Sequence, residues 1–95
     1  MMIEKIGTPA MLEQLAEEAA ELSQAALKLD RIFRGENPTP VTEEEAWIHL
    51  IEEYTDVYQC AEELEIPVDW LQIKEKSERF RERWENREDE SKKND

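Results

Sequence analysis

From Leu12 onward, apolar residues recur at alternating steps of three and four: Leu12, Leu15, Ala19, Leu22, Ala26, Leu29 and Phe33. That period brings them to one side of an α-helix, whereas a strand would scatter them over both its faces. Trp47, Leu50, Tyr54, Val57, Ala61 and Leu64 repeat the steps. Between the runs lies GENPTPV, in which Gly35 stops the first helix and two prolines hold a loop. Two long helices joined by so short a loop are expected to pack as an antiparallel hairpin. Thr8-Pro9 reads as an N-cap and first-turn proline for the first helix, and Thr42 with Glu45 as a capping box for the second. Pro67 breaks the second helix, and Asp69 is a candidate cap for a third that runs from about Val68 to the upper eighties. This third helix carries Trp70, Leu71, Ile73, Phe80 and Trp84. No strand-like alternation occurs, so the expected class is all-α.

A chain of 95 residues makes at most one domain, expected over residues 1–88, with a charged, disordered tail at 89–95. Its core is small, so stability is expected to come partly from other copies that complete a helical bundle. A formal charge of −13 repels polyanions, which argues against nucleic-acid polymers and anionic membranes as partners. The single cysteine, Cys60, leaves no disulfide framework and no zinc ribbon. Neither a secretory leader nor a membrane span is legible, so a cytoplasmic location is expected.

Within the first helix, LAEEAAELSQA places Glu18 and Glu21 one turn apart, and EYTD repeats that spacing with Glu53 and Asp56. At 1.5 Å per residue, Glu21 lies roughly 21 Å from the turn and Glu18 roughly 25 Å. Glu53 and Asp56 come at roughly 17 and 21 Å, so all four acids share one level of the hairpin. Around the helices the match is weaker: Asp56 sits about 160° off the second seam and needs cover from another helix or copy to join a site. Hard carboxylate oxygens at these positions suit Mg2+, while the same pairs on an acidic helix also serve as a solvated face.

LAEEAAELSQA followed by LIEEYTDVYQCAEELEIPVD resembles the paired EExxE and ExxD signature of the MazG-like, all-α nucleoside triphosphate pyrophosphatases, over about residues 8–84. The resemblance implies Mg2+-dependent hydrolysis of nucleoside triphosphates, often modified or deoxy ones, to monophosphate and pyrophosphate. It implies metal ligation by Glu18, Glu21, Glu53 and Asp56, with Glu17 as a further motif residue that the helical wheel turns away from the others. It also implies a homodimer or homotetramer, with one unidentified carboxylate as general base. The third family element is matched by Lys76, Arg83 and Trp84 in KSERFRERW, but Phe80 stands where the family has asparagine. Lys76, Arg83 and the neighbouring Arg79 are candidate phosphate contacts, and Trp84 a candidate base-stacking residue. The interval from Glu21 to Glu53 is also longer than the family's. The alternative is a noncatalytic acidic helical protein that assembles through its seams, or a metal-binding relative without turnover.

His49, one turn before Glu53, is either its hydrogen-bond partner or, as preferred here, a surface histidine. Cys60 reads as a small semi-buried filler, Lys28 as a solvated charge, and Trp47, Trp70 and Trp84 as core or interface anchors. Asn37 lies in the loop, where nothing in the sequence positions it.

Overall fold

A computed structural model describes residues 1–36 and 40–93, without the side chains of 90–93. Asn37 and the middle of the GENPTPV loop lie outside the described residues. The described chain is all-helical: α1 Ile3–Ile6, α2 Thr8–Phe33, α3 Glu43–Glu63 and α4 Trp70–Lys93. None of these helices is long and apolar enough to cross a membrane.

The helix ends follow local chemistry. The Thr42 hydroxyl accepts the Glu45 N–H at 3.1 Å, opening α3, and three glutamates fill its first turn. Asp69 Oδ1 accepts the Gln72 N–H at 3.0 Å, opening α4. Thr8 differs from expectation: it lies inside α2, and Gly7 (φ 89°, ψ 162°) takes the cap position without a side-chain bond. The reason is α1, unforeseen in the sequence, which runs up to Gly7 and bonds its N–H to the Ile3 carbonyl. At the end of α2, Gly35 (φ 70°) donates to the Ile32 carbonyl and Glu36 to Arg31, a Schellman stop. α3 ends in the same pattern, with Glu65 donating to Glu62 and Ile66 to Ala61, although Glu65 must adopt φ 56° to make it.

α2 packs along α3 through part of each expected seam: Leu15, Leu22, Leu29, Leu50, Val57 and Leu64 face inward, while Leu12, Ala19, Ala26, Phe33, Trp47 and Tyr54 stay exposed. The buried and half-buried line of α2 is Met11, Leu15, Glu18, Leu22, Ala25, Leu29 and Ile32. That of α3 is Ala46, Leu50, Glu53, Val57, Cys60 and Leu64. Both keep the three-four rhythm, yet every second position steps back by one residue, which turns each line by roughly 50° from the most apolar one. Size explains the rotation. Ala25, Ala46 and Cys60, each 2% exposed, let the backbones approach, whereas Leu12, Trp47 and Tyr54 stay outside at 50, 45 and 62%. Each inner line therefore takes in a glutamate.

Pairings along the contact run Phe33 with Trp47, whose rings meet edge-on at 6.4 Å, then Glu18 with Glu53 and Asp56. α1 is tied to the end of α3 by Glu63, whose carboxylate accepts the Met2 and Ile3 N–H groups at 3.2 Å each. α4 stands apart: every residue from Trp70 to Asp89 is exposed. The tryptophans are accordingly not core residues in this chain, which corrects one of the two roles expected for them. The Cα radius of gyration is 18.3 Å, against about 12 Å for a compact chain of this length.

Candidate metal centre

The rotation of the seams builds the site. Glu18 on α2 and Glu53 on α3 each occupy an inner position, and Asp56 follows Glu53 by one turn at the rim of the contact. One carboxylate oxygen from each of the three lies within 4.8 Å of the other two. The wheel estimate had left Asp56 in water without another helix. Measured from the actual inner line it is near enough to the facing helix to join the group, while remaining exposed.

Each glutamate is steered by a side chain one turn before it. Gln14 Nε2 donates to Glu18 Oε1 at 2.8 Å, and His49 Nε2 lies 3.2 Å from Glu53 Oε1. His49 is about half exposed, and the 3.2 Å approach to Glu53 is an ion-pair distance for a protonated ring. The second oxygens, Glu18 Oε2 and Glu53 Oε2, are buried without any hydrogen-bond partner among the described residues. Burying an unpaired carboxylate oxygen is costly, and two facing each other with Asp56 beside them add repulsion. A hard divalent cation would satisfy all three, so the donor set fits Mg2+, with Gln14 and His49 fixing ligand orientation.

Two openings flank the group. One, of ≈ 320 Å³, is lined by Glu18 and Asp56, by Met2 and Ile6 of the α1 segment, and by Cys60. Burial, and then the charges of Glu18, Asp56 and Glu63, push the Cys60 thiol above its ordinary range. The other opening, of ≈ 670 Å³, is lined by Glu21, Gln24, Lys28, Arg31, His49 and Glu53. Glu21 thus faces the same cleft as Glu53 but stands outside the three-carboxylate group. Glu17 is exposed.

Lys76, Arg79, Arg83 and Trp84 lie on α4, where they line shallow hollows with Phe80. Arg83 sits 5.9 Å over the Phe80 ring, and Arg87 sits 5.2 Å over Trp84. None of the four lines either opening beside the carboxylates. Sequence reasoning did not find Gln14 or Glu63. Gln14 had a signal, four residues before Glu18 on the same face. Glu63 had none, because the α1 N–H groups that it accepts belong to a helix the sequence did not announce. Compared with protein-family models, curated proteins and solved structures, the chain matches none.

Proposed function

We propose that this protein is a Mg2+-dependent nucleoside triphosphate pyrophosphohydrolase, yielding a nucleoside monophosphate and pyrophosphate. One observation carries the proposal: Glu18 and Glu53, from two packed helices and each with a buried, unpartnered carboxylate oxygen, bring an oxygen within 4.8 Å of each other and of Asp56. The motif order that resembles the MazG-like pyrophosphatases adds the reaction class. Glu18, Glu53 and Asp56 would hold the cation, with Glu21, the fourth motif acid, in the adjoining larger opening. A Mg2+ held there would offset charge on phosphate oxygens and make a bound water more acidic. The protein's own part is to aim the carboxylates through Gln14 and His49, and to accept a proton from the attacking water on a carboxylate oxygen that ligation leaves free. Hydrolysis then breaks the bond between the α- and β-phosphates.

The proposal includes an antiparallel α2–α3 hairpin as half of a bundle closed by a second copy. Trp47, Ile51, Tyr54 and Tyr58 form an exposed apolar stripe on α3, and on α4 Trp70 and Ile73, then Phe80 and Trp84 after a polar turn at Lys76 and Ser77, form another. α4 carries most of the chain's twelve Lys and Arg together with nearly as many acids, whereas α3 has acids and no Lys or Arg, so one copy's near-neutral α4 meets less repulsion on the acidic α2–α3 pair of the other than a second such pair would. This arrangement brings Lys76, Arg79, Arg83 and Trp84 towards a partner's cleft, where Trp84 stacks on a nucleobase and the cations meet phosphate.

The exposed stripes also favour a second reading, a noncatalytic assembly module. Pyrophosphate release separates the two. The purified protein is incubated with standard and modified nucleoside triphosphates, with and without Mg2+. Turnover that needs Mg2+ and falls at least a hundredfold in Glu53→Gln is the expected result. No turnover on any triphosphate leaves the assembly module.

A further inference from the structure

The α2–α3 pair changes charge along its cleft. Lys28 and Arg31 are the only Lys or Arg in α2, α3 contains none, and both line the ≈ 670 Å³ opening with Gln24 and His49. Neither forms an ion pair among the described residues, although the chain carries 25 acids. The helix dipole accounts for Arg31 in the last turn of α2. It does not account for Lys28, five residues from the helix end and half-buried, where a solvated charge was expected. Side chains on a helix lean towards its N-terminus, and both cations line the same opening as Glu21 and Glu53, which lie on that side of them.

We propose that Lys28 and Arg31, with Gln24 beside them, form an anion subsite that holds the terminal phosphates of an extended polyphosphate chain. The ligand class is a compound with three or more linked phosphates. Its inner phosphates lie at the cation between Glu18, Glu53 and Asp56, and its outer ones at Lys28 and Arg31. A monophosphate spans only one end of this arrangement, so the cleft selects against the nucleotide product. Two cations inside an otherwise repelling cleft also explain how a chain of charge −13 admits a polyanion. The subsite rests on the reading of the three carboxylates as a cation site.

Inorganic triphosphate is the test ligand, since it has no base or sugar. Titration calorimetry in Mg2+ measures its affinity for the wild-type chain, Lys28→Ala, Arg31→Ala and the double variant. Lys74→Ala, on exposed α4, controls for the loss of one positive charge. Mn2+ binding, followed by its paramagnetic resonance, reports the cation site separately. Mn2+ affinity equal in all four and lost in Glu53→Gln is expected. Triphosphate affinity should fall about tenfold for each cleft cation removed and change less than twofold in Lys74→Ala. Mn2+ binding intact, with triphosphate bound equally by wild type and double variant, overturns the subsite alone. A wild-type chain that binds no Mn2+ overturns the cation reading and, with it, the subsite.

Discussion

Glu53 shows at the scale of one residue how function and stability oppose each other. His49 Nε2 lies 3.2 Å from its Oε1, its Oε2 is buried and unpartnered, and one of its two oxygens lies within 4.8 Å of an oxygen of Glu18 and of Asp56. Replacing Glu53 by Gln removes one of three mutually repelling charges and supplies an N–H donor for the orphaned Glu18 oxygen. Without divalent cation, Glu53→Gln should therefore be more stable than wild type by about 1–2 kcal/mol, a melting rise of roughly 5–10 °C. Mg2+ should raise the wild-type melting temperature and leave the variant's unchanged; calorimetry in the presence of a chelator and then of Mg2+ checks both. A variant less stable than wild type in chelator would mean that the carboxylate is a structural partner. Cys60 gives a second residue-scale test. Burial and neighbouring carboxylates raise its thiol above the ordinary 9.0, so the folded chain holds this proton to higher pH than the unfolded one. Its contribution to stability is whole below pH 9.0 and is lost as pH rises through the folded value. Alkylation by iodoacetamide should accordingly lag behind that of the unfolded chain at pH 8, because the thiol is 2% exposed and holds its proton to higher pH.

Helix identity was legible because caps and periodicity agreed: Thr42, Gly35 and Asp69 act at the ends where sequence placed them. Helix rotation was not legible. α2 and α3 each carry an apolar arc wide enough for two lines, and choosing the more apolar line ignores the size of the side chains that must fit between the backbones. Small Ala25, Ala46 and Cys60 decide the matter, so acidic Glu18 and Glu53 move inward while aromatic Trp47 and Tyr54 move out. The axial level of the carboxylates could be read from a rise per residue, but their angular position could not. Ala25 and Ala26 distinguish the two lines directly. Ala25→Met overfills the contact and should cost about 1–3 kcal/mol, whereas Ala26→Met adds an exposed side chain on a good helix former and should stay within about 0.5 kcal/mol. Urea unfolding of the pair measures the difference. The opposite order would restore the line through Leu12, Ala19 and Ala26.

The whole molecule exposes 7975 Å², about 2,200 Å² more than the roughly 5,700 Å² of a compact monomer of 11.3 kDa. A stable interface removes roughly 800 Å² from each partner, so the excess is ample for one large contact or for two. It is concentrated on the aromatic stripes of α3 and α4, and α4 lacks any buried face of its own. A helix of 24 residues with no packing partner is marginal in water, and a second copy that covers it removes that weakness. Within a single chain Tyr54 and Trp84 are exposed, so replacing either by Glu should scarcely alter a monomer. In an assembly the same changes place a charge among apolar groups and disrupt it. Sedimentation equilibrium at tens of micromolar should give the wild-type chain at twice 11.3 kDa or a higher multiple, and Tyr54→Glu with Trp84→Glu at 11.3 kDa. Far-UV circular dichroism of the double variant should then show less helix, because α4 unwinds once nothing covers it. A wild-type chain that sediments as a monomer with full helicity would mean that α4 holds itself, and that the aromatic stripes serve some surface other than this protein's own.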